Sequence, residues 1–176
     1  MTPLKDNSNQ RPSNTNNLRV TTSSPLNVAV VGGGPAGLVA AKYLVEQGAA
    51  VTLFDAMPSV GRKFLLAGKG GLNLTHAEPL ASFKQRFREA QPQVAPWLDR
   101  FGPQAIREFA KELGIETIIG TSGRVFPADF KAGPMMRSWV RALKEASVRF
   151  EMNHRFKNWS APKTLHFETP AGEIQH

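Results

Sequence analysis

One stretch of the sequence, residues 27–55, constrains the fold more than any other. It reads NVAVVGGGPAGLVAAKYLVEQGAAVTLFD. The Val-rich run Asn27–Val31 has the composition of a buried parallel strand. Residues 36–46 carry apolar side chains at helical spacing, and Gly48 follows in the position of a helix C-cap. A second apolar run then ends on Asp55. Strand, glycine turn, helix, strand and acid in this order predict a Rossmann-like unit that binds a dinucleotide.

Each glycine of the turn has a predicted role. Gly32 permits a sharp turn out of the strand, Gly34 lets the backbone approach a pyrophosphate, and Gly37 permits close packing of helix on strand. Free N–H groups and the positive dipole end at the helix start favour a dianionic linker. Asp55 is placed to accept hydrogen bonds from ribose hydroxyls and would repel a 2′-phosphate, which argues against NADP at this site. FAD and NAD both satisfy the turn, and a unit whose turn binds nothing is the alternative.

Composition divides the chain into two parts. Residues 1–24 are almost wholly Asn, Ser, Thr, Pro and Gln, which predicts a disordered polar leader. Residues 25–176 form one predicted Rossmann-like domain. The leader lacks the apolar core of a secretory signal, and no stretch has the roughly 18 apolar residues of a membrane span. We therefore expect a cytoplasmic protein with no membrane partner.

Charge and cysteine content restrict the function classes. The formal net charge is +8, which suits anionic ligands and would also suit nucleic acid; a generally basic surface is the alternative. Because no known nucleic-acid-binding motif accompanies the charge, we expect no nucleic-acid partner. The chain has no cysteine, which excludes disulfides, zinc–thiolate sites and any flavin mechanism that uses a redox-active cysteine pair.

The segment after the second strand, residues 56–77, reads AMPSVGRKFLLAGKGGLNLTHA and contains no acid. Its four glycines predict a long loop with unusual backbone geometry. The cations Arg62, Lys63 and Lys69, with hydrogen-bonding side chains nearby, favour contact with an extended anionic cofactor. A flexible basic surface loop is the alternative interpretation.

Four motifs together resemble a known family: GGGPAG, Asp55, GRKFLLAGKGGLNLTH, and GRVFPADFKAGPMM at residues 123–136. They are similar to bacterial NAD(P)/FAD-dependent oxidoreductases, flavoproteins with two dinucleotide-binding domains that are also termed aminoacetone-oxidase-like or bile-acid-reductase-like. The resemblance runs from Asn27 to the end of the chain. It implies FAD at the first site, hydride and electron chemistry on the flavin, a small-molecule substrate of unknown identity, and NAD(P)H as a candidate electron donor.

The resemblance also implies site residues. The pyrophosphate would lie along Gly32, Gly34, Pro35, Ala36 and Gly37. Asp55, followed by Ala56, would hold the adenosine ribose, and the backbone near Phe156 would meet the adenine edge. The flavin half would run beside Arg62, Lys63, Gly68, Gly71, Leu72, Asn73, Leu74 and Thr75. We name no catalytic residue and no metal site, because the sequence pairs no base with a nucleophile and builds no metal cluster. The alternative is a non-catalytic dinucleotide-binding module or an inactive fragment.

Two departures from the family pattern bear on this assignment. The family usually has Glu where Asp55 stands, a change that preserves the ribose role. Many members read G-R-C-N-x-T-N where this chain has GGLNLTH at residues 70–76, so substrate assignments made for that branch do not transfer. His76, which is specific to this version of the motif, is interpreted as a polar contact rather than an acid–base group.

The remaining segments predict helices at 80–90, 103–113 and 134–146, with a short helix before Gly102 and breaks at Pro92 and Pro96. Their aromatic stripes are assigned to the core. The predicted strands are 115–119, 124–126, 148–152, 155–159, 165–169 and a last one from 174. The predicted fold is α/β, a Rossmann-like FAD-binding domain with a parallel sheet and a β-meander, incomplete at the carboxyl terminus. The sequence ends inside a predicted hairpin, so we expect either a truncated product with weak FAD retention or a partner chain that completes the fold.

Overall fold

A computed structural model describes residues 24–161 and 163–176. The predicted disordered leader therefore lies outside the described residues, apart from Ser24. No helix in the described part of the chain is long and apolar enough to cross a membrane. In chain order the elements are β1 (Asn27–Val31), α1 (Pro35–Glu46), β2 (Ala50–Asp55), α2 (Arg62–Ala67), β3 (Thr75–His76), α3 (Leu80–Gln85), α4 (Gln91–Arg100), α5 (Pro103–Glu112), β4 (Thr117–Ile119), β5 (Arg124–Pro127), α6 (Ala132–Glu145), β6 (Arg149–Met152), β7 (Arg155–Ala161), β8 (Thr164–Thr169) and β9 (Gly172–Gln175).

The central sheet is parallel, with the strand order β1-β2-β6. Leu53 of β2 pairs with Val30 on one side and with Phe150 on the other. Helices α1 and α6 contribute Leu38 and Trp139 to the core that covers one face of this sheet. Because parallel strands end at the same edge, the turn after β1, Asp55 and the residues after β6 share one side of the molecule.

The other face of the sheet is covered by an antiparallel meander, β7-β8-β9. Phe54 of β2 stacks on Phe167 of β8 with ring centroids 4.4 Å apart. Both side chains are almost completely buried. The predicted combination of parallel sheet and β-meander is confirmed.

A second antiparallel sheet, β3-β5-β4, lies in the long connection between β2 and β6. His76 pairs with Arg124, and Thr117 pairs with Pro127. Helix α5 joins this region to the main core through Phe109, whose ring meets Trp139 edge-on at 4.9 Å. The motif that contains Thr75 and the motif that contains Arg124 are thereby neighbours.

The prediction of a continuous loop over residues 56–77 is wrong, because the segment contains α2 and β3. Residues 62–67 read RKFLLA, which holds no glycine or proline and, apart from Phe64, consists of good helix formers. Gly61, in the left-handed region with φ 72°, precedes the helix, and Gly68 ends it. Phe64 packs edge-on against Trp139 at 6.3 Å, so tertiary packing stabilises a helix too short to form alone.

Two further predictions fail in the helical region before α5. Pro96 lies inside α4 rather than breaking it, and Pro92 sits in the first turn, where its missing N–H has no helical acceptor to lose. The α4 stripe is not core throughout, since Trp97 is 67% exposed and Phe101 44% exposed. Helical spacing defines a common face but does not determine what covers that face.

Candidate cofactor site

The glycine turn is shaped by two glycines that no other residue could replace without strain. Gly32 has φ 106°, in the region that side chains with a Cβ avoid. Its N–H donates to the Phe54 carbonyl at 2.8 Å, which ties the turn to β2. A Cβ at Gly37 would overlap the Gly32 carbonyl oxygen. The close contact of α1 with the end of β1 therefore requires glycine at position 37.

The start of α1 is open to an external ligand. Gly34 is the N-cap, and a Cβ there would have no atom within 4 Å. The first helical donor is the Leu38 N–H, which reaches the Gly34 carbonyl at 3.0 Å. The amides of Ala36 and Gly37 come before it and have no helical acceptor. Pro35 occupies the first helical position, and the first turn carries no acid. This arrangement suits an anion.

The Asp55 carboxylate connects the two loops at the edge of the sheet. Its Oδ2 accepts the Gly33 N–H at 2.6 Å, and its Oδ1 accepts the Met57 N–H at 2.8 Å. An ionised carboxylate has about four acceptor positions, so these two bonds leave capacity for ribose hydroxyls. The sequence predicted only the contact of Asp55 with ribose and not its bonds to the Gly33 and Met57 amides. The position of an acid directly after β2 was the only sequence feature that pointed to them.

The loop after Asp55 returns to the glycine turn and places α2 beside it. Val60 is 8% exposed and lies against Gly33. The Gly61 N–H donates to the Gly33 carbonyl at 2.8 Å. Arg62 and Lys63, both exposed, follow immediately and begin α2. Two positive charges are thus brought next to the turn.

The segment from Gly68 to Thr75 is held by the β5 region rather than by the glycine turn. The Leu72 N–H donates to the Phe130 carbonyl at 2.9 Å, and the Leu74 N–H donates to the Val125 carbonyl at 2.8 Å. Leu72 is buried and Asn73 is exposed. The backbone is fixed, and the Asn73 amide is free to face a ligand.

Thr75 carries an unsatisfied hydroxyl in this segment. The residue is 7% exposed, and its Oγ1 has no hydrogen-bond partner among the described residues. An unmade hydrogen bond of a buried polar group costs about 1–3 kcal/mol. A polar ligand group that reached Oγ1 would remove this cost, so the residues present fit an extended polar cofactor. Gly71, with φ 113°, lets the chain turn before this position.

His76 uses both ring nitrogens for main-chain contacts. Nδ1 accepts the Glu78 N–H at 3.2 Å, which places the proton on Nε2, and Nε2 donates to the Ser122 carbonyl at 2.9 Å. The ring lies against Gly123. His76 therefore anchors the turn before β5, which agrees with its interpretation as a polar contact.

The other predicted position, Phe156, lies in β7 and is half-buried. Its ring packs edge-on against Phe167 at 5.9 Å, and β7 contacts β2. The structure thus brings Phe156 to the meander side of the strand that ends at Asp55. Among the residues that the structure describes, no group of three or more acidic, histidine or cysteine side chains is placed to hold a metal ion.

A parallel β-α-β unit with a glycine turn at the helix start and an acid after the second strand defines the Rossmann class of dinucleotide-binding domains. Within that class, the chain belongs to the HI0933-like family, because the HI0933-like protein Rossmann domain matches residues 26–175. The family resemblance predicted from the motifs is confirmed.

Curated relatives share parts of the sequence. The ribosomal RNA dihydrouridine synthase of Haemophilus influenzae is 43% identical over 92 residues, covering 48% of this chain and 23% of that protein. The D-amino acid dehydrogenase of Dechloromonas aromatica is 35% identical over 75 residues, covering 43% and 17%. A thiamine thiazole synthase of Methanosarcina mazei is 39% identical over 71 residues, covering 38% and 27%. The matched regions span about a quarter or less of each relative.

Solved structures share the fold. A flavocytochrome c3 fumarate reductase in its open conformation aligns with a TM-score of 0.64 and 18% identity, covering 86% of this chain and 32% of that one. The 3-ketosteroid-delta4-(5alpha)-dehydrogenase of Rhodococcus jostii aligns with a TM-score of 0.62 and 14% identity, covering 89% of this chain and 45% of that one. THI4 of Thermovibrio ammonificans aligns with a TM-score of 0.56 and 17% identity, covering 86% of this chain and 53% of that one. At such identities the likeness is one of fold alone.

Proposed function

We propose that this chain is the FAD-binding part of a flavin-dependent oxidoreductase. The observation that carries the proposal is the open helix start of α1, where Gly34 leaves space and the Ala36 and Gly37 amides lack helical acceptors. A pyrophosphate satisfies such donors and the positive helix end together. The lack of an acid in the first turn of α1 and of α2 supports the same ligand.

The remaining contacts follow from the ends of the cofactor. Asp55 would accept the adenosine ribose hydroxyls with the acceptor positions that Gly33 and Met57 leave free, and Ala56 would lie beside the ribose. The adenine edge would meet the backbone near Phe156. Along the flavin half we place Arg62, Lys63, Gly68, Gly71, Leu72, Asn73, Leu74 and Thr75.

When bound, the flavin supplies the hydride and electron transfer. The residues of this chain bind and orient it. The cations Arg62 and Lys63 offset the charge of the diphosphate, and the Thr75 hydroxyl gains a hydrogen-bond partner. We further propose that NADH or NADPH reduces the flavin.

Reconstitution tests this function. The purified chain is incubated with FAD, freed of unbound flavin by gel filtration, and its visible spectrum is recorded anaerobically before and after NADH or NADPH. Retained flavin that bleaches supports an oxidoreductase. Retained flavin that neither donor reduces, while dithionite does, would restrict the chain to a non-catalytic dinucleotide-binding module. A folded chain that retains no flavin would contradict the proposal.

A second candidate function is reduction of a base in RNA. It is favoured by the similarity to the H. influenzae ribosomal RNA dihydrouridine synthase and by the net charge of +8. It opposes our sequence-based expectation of no nucleic-acid partner. Titration of the FAD-loaded chain with single-stranded RNA at several salt concentrations separates the two, since phosphate contacts make log K fall linearly with log salt. Absence of binding at low salt would remove this candidate.

A further inference from the structure

A cavity lies between α2, α6 and β6, and it adjoins the glycine turn only through Val60. Its volume is about 550 Å³, within the range of roughly 300–1,000 Å³ that small-molecule sites occupy. The side chains of its floor and walls are mainly apolar. They are Val60, Leu65, Met136, Val140, Phe150 and Met152.

Positive charge is concentrated on one wall of this cavity. Arg137, Arg141 and Lys144 line it from successive turns of α6, a spacing that places all three on one helix face. Glu145, which is the only acid among the described residues of the lining, has an oxygen 4.0 Å from the Arg141 Nε. Arg137 and Lys144 have no ion-pair partner within the described ranges 24–161 and 163–176.

Lys144 joins the charged wall to the apolar floor. Its Nζ lies 5.9 Å from the centroid of the Phe150 ring. The lysine head is exposed while Phe150 is half-buried. A ligand whose hydrocarbon part rested on Phe150 would therefore carry its polar end within reach of an ammonium group.

We propose that this cavity binds a small amphipathic anion, an apolar body that ends in one carboxylate or similar group. The apolar lining removes the hydrocarbon part from water, which is the main source of affinity. The unpaired cations select the negative end over a neutral or positive one. None of the six apolar lining residues is among the residues assigned to FAD, although Val60 also packs against Gly33 of the glycine turn.

Three probes with the same chain length test the proposal. Octanoate, 1-octanol and octylamine share an apolar body and carry negative, zero and positive charge. Calorimetric titration of the full chain should give saturable octanoate binding at one site, weaker octanol binding and the weakest octylamine binding. Octanoate binding that never saturates, or equal affinity for all three probes, would overturn the proposal.

Matched variants locate the site. Lys144→Gln should lower the affinity for octanoate by about two- to five-fold, the range for an exposed charge pair. It should leave the affinity for octanol unchanged. Arg149→Gln removes an exposed charge from β6 outside the lining and should change neither. Leu65→Asn should lower the affinity for both octanoate and octanol. Leu66→Asn, at a 58% exposed position outside the lining, should lower neither affinity.

Circular dichroism shows whether each variant is folded. If Leu65→Asn does not fold, the comparison of Lys144→Gln with Arg149→Gln decides the test. An equal loss in Lys144→Gln and Arg149→Gln would overturn the proposal. Displacement of bound octanoate by single-stranded RNA or by an acidic peptide would do the same, since it would assign the cationic wall to a macromolecule.

Discussion

Two alanine substitutions in the glycine turn separate folding from cofactor binding. At Gly34, φ −77° and ψ 176° suit any residue, and the new Cβ would have no protein atom within 4 Å. Reduced freedom of the unfolded chain favours alanine, while N-cap preference favours glycine. These effects oppose each other, so we expect Gly34→Ala to change the free energy of unfolding by no more than about 0.5 kcal/mol.

Cofactor binding should respond much more strongly at the same position. The added methyl group occupies the space through which a pyrophosphate reaches the Ala36 and Gly37 amides. The loss of one hydrogen bond to a charged group costs about 1.5–3 kcal/mol, which corresponds to a fall in FAD affinity of about 10- to 150-fold.

Gly37→Ala is the matched variant with the opposite balance. Its Cβ would overlap the Gly32 carbonyl oxygen, a backbone atom that cannot rotate away. We expect a loss of about 1–3 kcal/mol in the free energy of unfolding, as for an overpacked core. Urea unfolding followed by circular dichroism and FAD titration measure the two quantities. Wild-type FAD affinity in Gly34→Ala, or equal destabilisation in both variants, would show that the pyrophosphate does not bind at the start of α1 or that Gly37 is not needed for close packing.

Three further predictions concern other parts of the fold. Asp55→Asn should lower the free energy of unfolding by about 1–3 kcal/mol even without FAD, because the new amide group turns a donor toward one of two backbone N–H groups; unchanged urea stability would contradict this. Phe54→Ala should lower the free energy of unfolding by about 3–5 kcal/mol. Trp159→Ala, at a 73% exposed position, should change it by no more than about 0.5 kcal/mol. Similar shifts in melting temperature for the two variants would contradict the assignment of Phe54 to the core. Val31, which is 48% exposed, ends β1, and the second edge of β1 pairs with no strand in the described part of the chain. Sedimentation velocity should therefore show self-association of the chain, and Val31→Lys should reduce it. Self-association that the lysine leaves intact would place the contact elsewhere.

The sequence predicted the parts of the fold that local chemistry determines. The β1-α1-β2 unit follows from the glycines, the Val-rich strand and Asp55, and the meander follows from short apolar runs with turn residues between them. The composition of residues 62–67 favours a helix, but six residues are too few to form one alone, and the Phe64 contact with Trp139 that stabilises α2 could not be predicted from the sequence. The exposure of Trp97 likewise depends on what packs against α4.

The candidate site was predictable in composition but not in geometry. The structure brings the glycine turn, Asp55 and the start of α2 with its two cations close together. The two N–H bonds to the Asp55 carboxylate could not be predicted, since they depend on how the loop after β2 returns to Gly33. The buried, unpaired hydroxyl of Thr75 also becomes visible only when the packing around β3 and β5 is known.

We propose that the glycine turn and Asp55 hold the diphosphate and adenosine parts of FAD. Parallel fluorescence titrations of the folded chain with FAD and with riboflavin, which lacks both parts, measure what these two parts contribute to binding. We predict saturable binding of one FAD per chain and no binding of riboflavin over the same concentrations. Equal affinity for the two flavins, or a folded chain that binds neither, would contradict the claim.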